Sequence, residues 1–245
     1  MASNPVFNEE AFEKACQRGN LQEINSNPMT LQGTINKTFF LLFLCVCGAM
    51  FAWNNFQTFS SYLTIMSIGA LAVGVATAFK PAISPYTAPL YAVLEGVLLG
   101  VLSAYFNTRY PGIVFNAVSI TFLVFFTMLF LYKTGIIRPT KTFVIGVVSA
   151  TCAIALFYIG SMVLSLFGVS TNYLTSSSPL SIGISIVICI VAALNFILDF
   201  SFIDTMTREP LAPKYMEWYA SFGLLVTLLW MYVEVLKLLA KSQRK

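Results

Sequence analysis

Leu194-Asn195-Phe196-Ile197-Leu198-Asp199-Phe200-Ser201-Phe202-Ile203-Asp204 closes an apolar run that starts near Leu180. A run of ~20 apolar residues is what a helix needs to cross the hydrocarbon layer of a bilayer, so this stretch reads as a membrane span. An ionised carboxylate inside that layer is costly and marks function by default. Asp199 is therefore the residue that the rest of the sequence has to explain.

The composition agrees with the reading of that stretch. Of 245 residues 58% are hydrophobic and only 10% charged, and several uncharged runs exceed the ~18 residues of a minimal span. The chain reads as a polytopic helical membrane protein. Its net charge of +4 is small, and the basic residues lie between apolar runs without forming a patch, which argues against nucleic acid as a partner. Cys45, Cys47, Cys152 and Cys189 sit inside apolar runs and Cys16 in the polar tail, with no framework spacing and no CxxC, so they read as buried small hydrophobes. Histidine is absent. Ser-His proteolysis, His-ligated zinc and histidine proton relays are thereby excluded, and no enzymatic activity is expected.

Taken in order, residues 1–36 form a polar tail carrying Glu9, Glu10, Glu13 and Glu23. It lacks the basic-then-apolar pattern of a secretory signal. Asn8 is placed to cap a short helix there, with Gly19-Asn20 as its stop. Residues 37–241 then hold seven spans. Helix 1 is expected over Thr38 to Trp53 and helix 2 over Phe59 to Phe79, with Asn54 to Thr58 as the break. Helix 3 follows Ser84-Pro85-Tyr86 and Pro89 and runs to about Phe106. Helix 4 covers Ile113 to Tyr132, and helix 5 Thr142 to about Phe167. Helix 6 holds the opening stretch. Helix 7 begins at Pro213, a favoured first helical residue, and reaches about Leu239 before the basic end at 242–245. The expected fold is all-α, a single bundle of seven transmembrane helices with helix 7 central. Seven spans put the termini on opposite sides. Nine basic residues then lie on the side of the N-terminal tail and five on the other, which favours a cytoplasmic N-terminus.

Glu95, Asp199, Asp204 and Glu234 fall within spans, with Glu217 at the mouth of helix 7. At ~1.5 Å rise per residue they form a staggered file, with Asp204 and Asp199 toward one face, Glu95 near the midplane and Glu234 in the opposite half. Such a file suits a cation or proton path, because each carboxylate replaces lost hydration. A close pair would titrate as a unit and gate with pH. Calcium takes about six to eight oxygens, so Asn195, backbone carbonyls or water would complete any site. Asn195 and Asp199 are four apart and share a helix face, whereas Asp204 points elsewhere and reads as a headgroup-level acid. Glu234 is three before Lys237, the spacing of an interfacial ion pair with both ends snorkelling. Glu95, with Gly96, Gly100 and Ser103 following, fits a protonated acid hydrogen-bonded across a close helix contact.

Several stretches together resemble the Bax inhibitor-1/YccA family, in a bacterial-type branch. They are Ser3-Asn4-Pro5-Val6-Phe7, the run from Met29 to Thr38, Tyr91-Ala92-Val93-Leu94-Glu95-Gly96, Tyr110-Pro111-Gly112-Ile113-Val114, the run from Ala193 to Phe200, and Pro213-Lys214-Tyr215-Met216-Glu217-Trp218-Tyr219. The resemblance implies a pH-sensitive calcium leak controlled by two acids, on helices 6 and 7, that share a proton. Asp199 matches the helix 6 acid, and Tyr232-Val233-Glu234-Val235 resembles the helix 7 site with Glu in place of Asp. On that basis a weak, transient calcium site involves Asp199 and Glu234, and no other cofactor is expected. Because the depth ordering separates these two acids, Glu217 or Glu95 is the competing partner for Asp199.

The leading expectation is thus a leak in a bacterial inner membrane, conducting calcium or coupled to protons. Its path and gate are drawn from Asp199, Glu234, Glu95, Glu217, Asp204 and Asn195. The alternative is a non-conducting regulator of a membrane protease, translocon or cell-death and stress pathway, acting through the N-terminal tail. An intramembrane aspartyl protease lacks its GxGD sequence here, and a retinal protein would need a lysine deeper in helix 7 than Lys237.

Overall fold

The computed structural model of the chain describes residues 28–167, 176–208 and 212–243. Its regular structure is helical: α1 Leu31–Asn54, α2 Phe56–Ser60, α3 Leu63–Phe79, α4 Ser84–Arg109, α5 Ile113–Lys133, α6 Lys141–Leu166, α7 Pro179–Arg208 and α8 Met216–Gln243. A 3-10 turn, Pro81–Ile83, precedes α4. The only bridge among the described residues is the antiparallel pair Pro28 and Pro213. The tail helix expected near Asn8 lies outside the described residues.

Among the described residues six helices are long and apolar enough to cross a membrane, and α3, at 17 residues, is a shorter apolar one. At ~1.5 Å per residue α3 covers about 26 Å, less than the ~30 Å hydrocarbon layer. The expected second span from Phe59 is broken into α2 and α3, because Asn55 leaves helical geometry and Ser61-Tyr62 form a turn. α8 is the most buried of the six long spans and α6 the least, with 61% and 11% of their central windows covered by protein.

Two helix starts differ from the sequence reading. α1 begins at Leu31, not Thr38, because Thr30 is a working N-cap: its backbone is extended and its hydroxyl accepts from the Gly33 amide. α8 begins at Met216, not Pro213, because Pro213 is held in the bridge to Pro28 while the neighbouring Met29 amide donates to the Ala212 carbonyl at 2.9 Å. The turn before α5 has Gly112 at φ +82°, a conformation that glycine adopts without penalty.

The chain divides into two compact units, Met1–Arg109 with Asp199–Val226, and Tyr110–Leu198 with Thr227–Lys245. Both α7 and α8 contribute a segment to each. In the first unit α1 and α4 pack backbone to backbone through glycines. A Cβ on Gly96 would lie 2.2 Å from the Cys45 carbonyl oxygen, one on Gly100 2.3 Å from that of Ala49, and one on Gly48 2.9 Å from that of Val93. Small residues permit this approach where lipid leaves packing, not hydrophobic burial, to drive association. Tyr91 of α4 then meets Phe222 of α8 edge-on at 4.9 Å.

In the second unit Phe125 of α5 meets Phe196 of α7 at 5.4 Å, also edge-on. The outward faces of α5 and α6 carry exposed Phe115, Leu123, Ile145, Leu156 and Met162, as helices facing acyl chains do. Cys45 and Cys189 are buried as expected. Cys47 and Cys152 are exposed, since they fall on such outward faces.

Gly96→Val and Gly100→Val should therefore destabilise the detergent-solubilised protein by at least about 1–3 kcal/mol through overpacking. Gly69→Val and Gly146→Val, at positions with nothing within 4 Å of an added Cβ, should leave the thermal midpoint far less changed. Equal midpoints for all four variants would contradict the close α1–α4 contact.

Candidate functional site

Glu217 lies in the first turn of α8, is 0% exposed, and is met on every side by donors. The Thr30 amide and hydroxyl donate to Oε1 at 2.9 and 2.7 Å, Lys214 Nζ approaches Oε1 at 2.9 Å, and Lys37 Nζ donates to Oε2. Lys37 also lies over the Trp218 ring, 5.3 Å from its centroid. The arrangement follows from how a helix starts. In a capping box the N-cap amide is satisfied by an acid three residues on. Here that position is Gly33, which has no side chain, and the acid comes from α8. A Cβ on Gly33 would fall 2.2 Å from Glu217 Oε1, so the missing side chain is what admits the carboxylate. Ser221, one turn further along α8, donates to the Thr34 carbonyl at 2.8 Å and fastens the same two helices again.

Glu234 belongs to the second unit and is 2% exposed. The Tyr158 hydroxyl of α6 lies 2.9 Å from both carboxylate oxygens, and Lys237 Nζ donates to Oε1 at 3.0 Å while lying 4.9 Å from the centre of the Tyr158 ring. The expected pair with Lys237 is present, but only the lysine, 38% exposed, reaches outward. The carboxylate is buried because α6 supplies a second partner for it.

Asn195 and Asp199 share the inward face of α7, at 2% and 0% exposure. The Asn195 amide donates to Thr151 Oγ1 at 2.9 Å and to the Val191 carbonyl at 2.8 Å. Asp199 falls in the first unit and Asn195 in the second, one helical turn apart. Glu95 is half-buried in α4, one turn after Tyr91 on the same helix. The close helix contact beside it is made by Gly96 and Gly100, so the glycines and the acid serve different ends. Asp204 is half-buried near the end of α7. Glu217 and Glu234 have separate partner sets in separate units, and among the described residues no three His, Cys, Asp or Glu side chains group as metal ligands.

A chain of helices rich in buried carboxylates can be compared with known families. The family model described as Bax inhibitor 1 like matches residues 4–244. The protein belongs to the Bax inhibitor 1 like family. Comparison with curated proteins and with solved structures returns no match.

In this Bax inhibitor 1 like chain the sequence named the acids and, for Glu234, the donor Lys237, but neither Thr30 nor Tyr158. Thr30 with Gly33 carried a legible signal, an N-cap whose third following position lacks the usual acid. Tyr158 carried none, because an aromatic in an apolar run looks the same whether its hydroxyl faces lipid or a carboxylate.

Glu217→Ala should loosen the segment from Pro28 to Thr30, costing about 2–3 kcal/mol for the lost charge-assisted hydrogen bonds. Hydrogen exchange at the Met29 and Thr30 amides should rise sharply in that variant and stay near wild type in Glu234→Ala. Unchanged protection in Glu217→Ala would contradict the clamp.

Proposed function

We propose that this protein is a pH-sensitive cation leak of a bacterial inner membrane, passing calcium or coupling to protons, with its N-terminus in the cytoplasm. Its gate is a set of carboxylates centred on Asp199. The observation that carries this reading is the complete burial of Asp199 within a long apolar helix, one turn from the buried Asn195. A carboxylate in that setting changes charge at a cost that depends strongly on its surroundings, so protonation and helix position are linked. Membership of the Bax inhibitor 1 like family supports the same reading.

The acids then take different roles. Glu217 is held by two lysines and Thr30, which suits it to positioning α8 and not to exchanging protons with a passing ion. Glu234 has a hydroxyl and a single lysine, fewer donors than Glu217 has. We assign gating roles to Asp199 within the first unit and to Glu234 within the second, Glu95 to the path, Asn195 to orienting the helix face of Asp199, and Asp204 to the mouth. Calcium is cargo in this scheme. A buried carboxylate in either unit offers far fewer oxygens than the usual six to eight or so, which favours a weak and transient stop over storage. No bond to the cargo is made or broken covalently, so no catalytic residue is required.

The test is calcium entry into dye-loaded proteoliposomes from mildly acidic to mildly alkaline pH, with wild type, Asp199→Asn and empty vesicles side by side. Protein-dependent flux that varies with pH in wild type and loses that variation in Asp199→Asn is the expected outcome. Flux equal to empty vesicles at every pH would overturn the leak reading and favour a non-conducting regulator of a membrane protease or translocon.

A further inference from the structure

Two lysines meet at one carboxylate where α8 begins. Lys37 and Lys214 both pair with Glu217, and among the described residues it is their only ion-pair partner. Glu217 has little left to give, since the Thr30 amide and hydroxyl already occupy the oxygen that Lys214 approaches. Each ammonium carries three N–H donors, so both lysines keep donors for a second anion. One carboxylate against two ammonium groups also leaves a positive charge in excess. The Lys214 side chain is 43% exposed and that of Lys37 18%, so the excess charge faces outward from a buried acid. A third, exposed lysine lies at the same end of the first unit. Lys80 follows the last residue of α3, and the 3-10 turn after it leads to Ser84, whose hydroxyl donates to the Tyr215 carbonyl at 3.2 Å, one residue from Lys214.

The rings beside these lysines set their depth. Lys37 Nζ lies 5.3 Å from the centroid of the Trp218 ring, and Trp218 meets Phe40 of α1 edge-on at 5.9 Å. Phe40 and its neighbour Phe39 follow Lys37 closely on α1, and both are exposed. Lysine, then tryptophan, then exposed phenylalanine is the order met on passing from the headgroup layer of a bilayer into its acyl chains. The excess charge therefore sits at the level of lipid phosphates, and charge complementarity selects the occupant.

We propose that Lys37, Lys214 and Trp218 form a docking site for the phosphate of an anionic membrane phospholipid. The two ammonium groups take the phosphate, Lys80 adds to the local positive charge, and Trp218 with Phe40 flanks the apolar part of the lipid. Glu217 positions the lysines and does not itself touch the lipid. The site is independent of ion flux, because it holds a lipid whether or not the protein conducts.

The experiment measures lipid retention by native mass spectrometry of the full chain, with phosphatidylglycerol or phosphatidylcholine added, for wild type, Lys214→Gln, Lys214→Arg and Lys141→Gln. Lys141 is an exposed lysine at the start of α6, so its variant reports the general surface charge. Wild type should retain phosphatidylglycerol over phosphatidylcholine. Lys214→Gln should lower that preference about fivefold, the effect expected of one lysine beside an anionic lipid surface. Lys214→Arg and Lys141→Gln should stay near wild type. No preference in wild type, or an equal loss in Lys214→Gln and Lys141→Gln, would overturn the proposal. Displacement of the lipid by excess inorganic phosphate would overturn the lipid as occupant in favour of free phosphate. If Lys214→Gln is not monodisperse, amine labelling of the wild type in nanodiscs takes its place. Labelling of Lys214 should then fall in phosphatidylglycerol discs relative to phosphatidylcholine discs while that of Lys141 changes little, and an equal change at both lysines overturns the proposal.

Discussion

A carboxylate buried among apolar helices must be met by donors from outside its own helix, and this constraint explains more of the molecule than hydrophobic pattern does. Glu217 is the clearest case. It completes the capping box of α1 in trans, because Thr30 presents an amide and a hydroxyl and Gly33 leaves the third position empty. One side chain thereby sets where α1 starts, holds the Pro28 to Thr30 segment against the loop that leads into α8, and fixes the first turn of α8. Lys37 and Lys214 supply the charge balance.

Close backbone packing and polar satisfaction cooperate within the first unit. Gly48, Gly96 and Gly100 bring α1 and α4 nearer than side chains would allow. Tyr91 is then free to pack its ring on Phe222. In the second unit the same logic runs through α6, whose outer face is exposed while Thr151 and Tyr158 point inward at Asn195 and Glu234. The least buried span thus contributes two of the polar partners that make burial of the others tolerable.

Much of this was legible in the sequence. Long uncharged apolar runs mark where spans lie, and the four-residue spacing of Asn195 and Asp199 puts them on one face. The misreadings share a cause. The sequence puts these two helix starts at Thr38 and Pro213, yet local hydrogen bonding decides both, through the Thr30 cap and the Pro28 bridge. Lys237 was legible as the partner of Glu234 but Tyr158 was not, because which face of α6 meets α8 depends on tertiary approach and leaves no periodic trace in a helix that is apolar all round.

The central claim is that Asp199 changes protonation as the pathway opens, and infrared difference spectroscopy of the reconstituted protein tests it most directly. A pH step across the range where flux changes should produce a carboxylic-acid C=O band in wild type that is absent from Asp199→Asn and retained in Asp204→Asn. A wild-type difference spectrum that survives unaltered in Asp199→Asn would show that the titrating group lies elsewhere, and the gate assigned to Asp199 would have to be abandoned.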